Sequence, residues 1–225
     1  IHHLLPATGL HIIGEHFEPV RHFLMAPKGA TLDTIKTVRS HVHALGQCRQ
    51  AIKELGLNAI VHVDTAGAAA DLEHSTDFTE AAIASSLAAE TYRLQVLRSE
   101  MEDHAYNTTR FIVLARQPET PPMTEALTVT TFIFRVRNVP AALFKAMGGF
   151  ATNGVNMTKL ESYMIEGEFF ATQFFADIEG HPDDASVKMA LEELGFFSRE
   201  FRLLGVYPAS PFREHGFQSI QEGRN

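Results

Sequence analysis

Hydrophobic spacing divides the chain into two patterned stretches joined by one that lacks a pattern. In the C-terminal stretch, residues 127–138 (LTVTTFIFRVRN) are dense in β-branched and aromatic side chains and predict a strand. Asn138 then offers an N-cap, and Pro140 suits a first helical turn, where a backbone N–H has no partner. Leu143, Met147 and Phe150 follow at helical spacing, with Asn153–Gly154 as the stop. Residues 156–165 predict a second strand, Glu166–Gly167–Glu168 a turn, and 169–180 a third strand. Asp183–Asp184 open a second helix with the stripe Val187, Ala190, Leu191 and Leu194, closed by Gly195; residues 199–208 form the last strand. The order β-α-β-β-α-β is ferredoxin-like.

The N-terminal stretch alternates strand and helix. Residues 34–40 are β-branched, and the helix 41–56 carries Ala44, Cys48, Ala51, Ile52 and Leu55 on one face, ending at Gly56. Strands at 58–64 and 80–84 are each followed by helices, at 66–73 and 86–94, and the apolar run Phe111–Leu114 reads as a buried strand. This is the pattern of a layered α/β domain. Each strand-to-helix junction carries a hydroxyl: Ser40, Thr65 and Ser85. Ligands of such sheets sit outside the carboxyl ends of the strands, and converging helix starts suit a small polyanion. Taken singly, each hydroxyl is explained by ordinary N-capping; their repetition brings a ligand reading level with it. Between the stretches, residues 116–126 (RQPETPPMTEA) carry three prolines and read as a linker. The expected division is 1–115, linker 116–126, 127–209, and a polar tail over 210–225.

Composition narrows the function. A net charge of −8 with no dense Lys/Arg run disfavours nucleic acid. The single cysteine, Cys48, fits a reducing compartment and lies on an apolar helix face, as a core residue rather than a nucleophile. Neither a membrane-spanning apolar run nor the features of a signal peptide are found, so a cytoplasmic protein is expected and the Asn107–Thr108–Thr109 sequon is read as unused. The twelve histidines show no zinc-enzyme spacing, and no glycine-rich phosphate loop is present; no metal and no cofactor are expected.

Residues 138–165 (NVPAALFKAMGGFATNGVNMTKLESYMI) resemble the ACT regulatory domain of prephenate dehydratases. There, an Asn-x-Pro-Gly-Ala-Leu stretch and a Glu-Ser-Arg-Pro stretch bind L-phenylalanine between two domains of a dimer. The resemblance implies effector contacts from Asn138, Pro140, Ala141, Ala142, Leu143, Glu161 and Ser162. Ala141 replaces the glycine, and Tyr163–Met164 replace Arg–Pro. Residues 39–49 (RSHVHALGQCR), 64–69 (DTAGAA), 81–90 (AAIASSLAAE) and 107–114 (NTTRFIVL) resemble, in order, motifs of the catalytic domain of the same family; Val42 departs from its proline. The fold implied is a partial, two-lobed catalytic domain resembling periplasmic binding proteins, followed by an ACT domain.

The activity implied is that of a carbon–oxygen lyase that turns prephenate into phenylpyruvate, inhibited by L-phenylalanine in a homodimer or homotetramer. The Thr–Arg–Phe motif places the catalytic threonine at Thr109, with Ser40, His41, Thr65, Ala66, Ser85, Thr108, Arg110 and Phe111 around the substrate. Arg110 either supplies charge or braces the domain through a salt bridge. Arogenate as substrate, or a non-catalytic phenylalanine sensor, remain open alternatives. The family's earlier segment, with a Glu–Asn–Ser loop, has no counterpart, so an N-terminally incomplete catalytic domain is expected.

Overall fold

The computed structural model describes residues 4–104, 107–124, 126–137, 139–164 and 171–213. A short helix, α1 (Leu5–Thr8), precedes β1 (His11–Pro19). Then come β2 (Phe23–Ala26), β3 (Thr37–His41), α2 (Val42–Gln47), α3 (Arg49–Glu54), β4 (Asn58–His62), α4 (Thr65–Ala70), β5 (Glu80–Ala84), α5 (Ser86–Thr91) and β6 (Gln95–Arg98). The chain ends with β7 (Thr108–Ala115), β8 (Thr128–Val136), α6 (Ala142–Thr152), β9 (Met157–Met164), β10 (Ala171–Glu179), α7 (Ala185–Phe197) and β11 (Ser198–Pro208). Two compact units result, 18–109 and 1–17 with 110–225. This division is not the one drawn at the proline-rich stretch, because β1 and β7 join the sheet of the C-terminal strands rather than that of β2–β6. Among the described residues no helix is long and apolar enough to cross a membrane.

Unit 18–109 is a five-stranded sheet of order β4-β3-β5-β2-β6. Strands β4, β3 and β5 are parallel, and β2 runs antiparallel to β5 and β6. Strands β5 and β2 are apolar on both faces, because both faces of the sheet are covered there, whereas β3 alternates buried Val38 and Ser40 with the partly exposed Thr37, Arg39 and His41. Leu24 and Ile83 pack with Val38, Cys48 and Ile52; Met25, Ala82 and Ala84 pack with Ala68, Ala69 and Leu72 on the other side. Cys48 is fully buried, and burial pushes its thiol up to about 12, as a core cysteine's should be. The single helix predicted over 41–56 is broken at Cys48. The Asp103 carboxylate accepts the N–H groups of Arg49 (3.1 Å) and Gln50 (2.9 Å), so a partner more than fifty residues away caps a second helix start.

The other unit carries the ferredoxin-like arrangement. Its sheet has the order β7-β1-β11-β8-β10-β9, in which the last four strands form an antiparallel block, with α6 and α7 packed on one face. Phe132, Phe134, Phe150, Phe174 and Leu194 build that core, while Leu5, Ile12, Ile133, Phe175 and Tyr207 build another. Strand β1 joins β11 in parallel at Ile12 and Gly205; a Cβ on Gly205 would run into the Ile12 carbonyl oxygen. Helix α7 passes through Gly195 to Phe197, against the expected stop, because Phe197 still packs on the helical core. The start of the tail is also structured: Arg213 N donates to Ser210 O at 2.9 Å. The predicted turn at 166–168 lies outside the described residues.

Helix α6 starts later than the sequence indicates. Pro140 sits in the turn before it, and its N-cap is Ala141, at φ 61° and ψ 20°. Alanine in the left-handed region carries roughly 1–2 kcal/mol of Cβ strain that glycine does not. Ala141→Gly is therefore expected to stabilise the fold by about 1 kcal/mol, read as a rise in melting temperature; an unchanged or lowered value would count against strain at this cap.

Candidate active site

The carboxyl ends of β3, β4 and β5 lie side by side at one edge of their sheet, in the register His41 with His62 and Arg39 with Ala82. That edge gathers Ser40, His41, Thr65, Ala66 and Ser85, but the hydroxyls do not play one common part. Ser40 is fully buried within β3, and its Oγ donates to the Ile83 carbonyl at 2.6 Å, locking β3 to β5. The cap of α2 is instead His41, whose Nδ1 accepts from His43 N at 3.3 Å. At the next junction the cap is Asp64, accepting from Gly67 N at 2.5 Å, and Thr65 is the first helical residue. A Cβ on Gly67 would stand 2.7 Å from Asp64 Oδ2, so the glycine makes room for this cap. Only Ser85 caps as expected, accepting from Ala88 N at 3.3 Å. The expected row of three hydroxyl caps is thus corrected to a histidine, a carboxylate and a serine. Val63 and Leu87, 85% and 68% exposed, stand beside Asp64 and Ser85.

Strand β7 carries Thr108–Thr109–Arg110–Phe111, and its side chains alternate between faces as in any strand. Thr109 and Phe111 share one face and are exposed; Thr108, Arg110 and Ile112 share the other and are partly covered. The run Phe111–Leu114 is therefore not a buried strand: Phe111, Val113 and Leu114 keep 54%, 46% and 38% of their surface. One face exposes Thr109 while the opposite face anchors the strand.

Arg110 is that anchor. Its Nη1 donates to Asp177 Oδ2, and its Nη2 donates to the Tyr207 hydroxyl at 2.7 Å. Its Nε lies 2.7 Å from Glu15 Oε2, an ion-pair distance without hydrogen-bond alignment. Both carboxylates are fully buried. Thr131 Oγ1 donates to Asp177 Oδ1 at 2.6 Å and lies 2.7 Å from the Tyr207 hydroxyl. Glu15 also accepts Arg213 Nε (2.6 Å), Arg213 Nη2 (2.8 Å) and Ser210 N (3.0 Å). Burial alone would raise Glu15, but these hydrogen bonds and both guanidinium charges hold its carboxyl below the usual range. Burial and the Asp177 charge push the Tyr207 phenol well up. Of the two roles open for Arg110, the brace is the one its contacts serve.

In the ferredoxin-like fold, Ala142 is buried, Leu143 packs on the helical core, and Ser162 is exposed on β9. Asn138 lies outside the described residues. Glu161 is engaged from its own strand: Lys159 Nζ approaches it at 2.9 Å and the Tyr163 hydroxyl donates to it at 2.5 Å. The residue standing in place of the family's arginine thus hydrogen-bonds the candidate ammonium acceptor.

Sequence reasoning missed a polar chain behind the Asn–Thr–Thr–Arg stretch. His22 Nε2 lies 2.8 Å from Gln47 Oε1, and Gln47 Nε2 donates to Asn107 Oδ1 at 3.3 Å. The three residues are far apart in sequence, so no local signal marks them. A cleft of about 330 Å³ is lined by Gly46, Gln47, Glu102, Asp103, His104, Asn107 and Thr108. Among the described residues no group of three His, Cys, Asp or Glu side chains could hold a metal ion.

Comparison with known proteins gives these residues a context. The family model for prephenate dehydratase matches residues 1–119. A bifunctional N-acyl-homoserine lactone acylase/prephenate dehydratase of Komagataeibacter europaeus is 51% identical over 95% of this chain and 76% of its own length. Arogenate dehydratase/prephenate dehydratase 2 of Arabidopsis thaliana, a chloroplastic protein, is 36% identical over 91% of this chain; the chain spans about half of it (56%). Among solved structures, the quorum-quenching acylase GqqA matches with a TM-score of 0.84 at 51% identity, over 95% of this chain and 77% of that one. A prephenate dehydratase from Arthrobacter aurescens, solved with L-Phe, matches with 0.78 at 32% identity, over 95% and 74%. The chain belongs to the prephenate dehydratase family, whose dehydratases are carbon–oxygen lyases.

Proposed function

We propose that this chain carries the catalytic threonine and the regulatory domain of a prephenate dehydratase. One observation carries the reading: β7 turns Thr109 and Phe111 outward while the same strand is pinned from its other face by Arg110. The ring hydroxyl of prephenate leaves as water once a donor protonates it, and the Thr109 hydroxyl is that donor. The bond to the ring carboxylate breaks, its electron pair enters the ring, carbon dioxide departs, and aromatisation drives the step; the proton lost by Thr109 returns from water. A threonine hydroxyl is far too weak an acid to do this in bulk water, so neighbouring dipoles must polarise it. His41, Thr65, Ala66 and Ser85 at the sheet edge are the proposed binding surface, with Thr108 and Phe111 beside the threonine. Ser40 supports that edge from within the sheet.

The effector reading is L-phenylalanine, held by Asn138, Pro140, Ala141, Ala142, Leu143, Glu161 and Ser162; the complex of the Arthrobacter relative with L-Phe supports it. Exposed Phe144 and Phe196 on α6 and α7 support a homodimer or homotetramer built through this fold, and the use of a single cysteine supports a cytoplasmic setting.

Two further readings have specific support. The plant relatives favour arogenate, the amino analogue of prephenate. The Komagataeibacter relative favours an acylase acting on N-acyl-homoserine lactones. Product analysis separates all three: the chain is incubated with prephenate, with arogenate and with an N-acyl-homoserine lactone. Phenylpyruvate from prephenate at a higher kcat/KM than phenylalanine from arogenate is expected. Faster turnover of arogenate, or release of a fatty acid alone, would replace the reading.

A further inference from the structure

Arg110 follows Thr109 in the chain, and every polar group that Arg110 meets is itself fixed. Asp177 is fully buried on β10; its second oxygen takes the Thr131 hydroxyl at 2.6 Å. Tyr207 is fully buried on β11, with its hydroxyl 2.7 Å from both Thr131 Oγ1 and Arg110 Nη2. Glu15 on β1 is held by Arg213 and by the Ser210 N–H. Phe17 adds its ring face to both guanidiniums, at 6.0 Å from Arg110 and 5.7 Å from Arg213, and stacks on Phe212 at 5.0 Å. A planar guanidinium held by three such anchors has no slack, unlike a lysine ammonium on the same strand.

We propose that Asp177 and Tyr207 are positioning residues for the threonine chemistry: through Arg110 they hold the β7 backbone, and hence Thr109, in one place. The inference rests on the dehydratase reading. It makes two strands of the ferredoxin-like fold, β10 and β11, working parts of catalysis rather than of a separable sensor. Asp177 also pairs across the ladder with Lys159 of β9, two residues from Glu161, so the strand proposed to meet the effector is one ladder step from the anchor. Misplacing a reacting group by about 1 Å costs on the order of a hundredfold in rate, so loosening the anchor should slow turnover without weakening substrate binding.

The test uses Asp177→Asn and Tyr207→Phe in the full chain, each close in shape to the residue it replaces. In folded variants kcat for prephenate is expected to fall about tenfold or more for Asp177→Asn and less for Tyr207→Phe, with KM within about twofold. Hydrogen exchange should quicken at amides 108–112 and stay unchanged at 37–41 of β3. Unchanged kcat and unchanged exchange would overturn the proposal, as would a rise in KM alone. If Asp177→Asn does not fold, Tyr207→Phe decides. If the wild-type chain does not turn over prephenate, the dehydratase reading falls, and unchanged exchange at 108–112 still overturns the anchoring.

Discussion

Thr109→Ala is expected to lower kcat for prephenate by about 10²- to 10⁴-fold, the range for losing a positioned proton donor. The melting temperature should move by no more than about 2 °C, because an exposed strand position away from the core tolerates truncation. The neighbouring position behaves in the opposite sense. Arg110 is joined to two fully buried carboxylates and a buried phenol, so Arg110→Ala leaves Glu15 and Asp177 facing each other's surroundings without a shared cation. That variant should lose stability first and activity as a consequence. A Thr109→Ala enzyme that keeps near-normal kcat would remove the threonine from the mechanism, whatever the family resemblance says.

Glu15→Gln is expected to destabilise its unit by about 3–5 kcal/mol, the usual cost of breaking a buried ion pair from one side. The carboxylate is fully buried and is shared by Arg110 and Arg213, so its neutral replacement leaves Arg213 without its carboxylate and Arg110 with Asp177 alone. The pH dependence follows from the same contacts. The folded pKa of Glu15 lies below its ordinary value of 4.5. Stability from this group is therefore fully present above about pH 4.5 and is lost as pH falls through the lower, folded value. Wild-type denaturant midpoints should drop in that acid range, and Glu15→Gln should flatten the drop while lowering the plateau. A variant with the wild-type acid limb would show that Glu15 is not the group responsible.

The ferredoxin-like fold was legible in the sequence because its signals are local. Strands β8 to β11 and helices α6 and α7 all carry their own periodicity, and each was placed within a few residues. The errors arose where a partner distant in sequence decides the outcome. Helix 41–56 breaks because Asp103 caps Arg49 and Gln50. Ser40 is no helix cap because the Ile83 carbonyl claims its hydroxyl. Asp64 precedes Thr65 and outcompetes it as a cap, which the hydroxyl pattern overlooked although carboxylates cap as well as hydroxyls do. The Arg110 cluster draws residues from β1, β7, β8, β10, β11 and the start of the tail, and no spacing rule predicts such a set. The sequence reading started this strand at Phe111, whereas β7 begins at Thr108, so it neither placed Thr109 and Arg110 on opposite faces nor indicated which of them meets the core.

One assay decides between a working and a non-working dehydratase site. Purified chain is given prephenate, and phenylpyruvate and carbon dioxide are followed together while L-phenylalanine is titrated. The expected result is equimolar release of both products, suppressed as L-phenylalanine saturates. No phenylpyruvate above the enzyme-free rate, from a chain that circular dichroism shows to be folded, would contradict the assignment of Thr109 to a working dehydratase site in this chain.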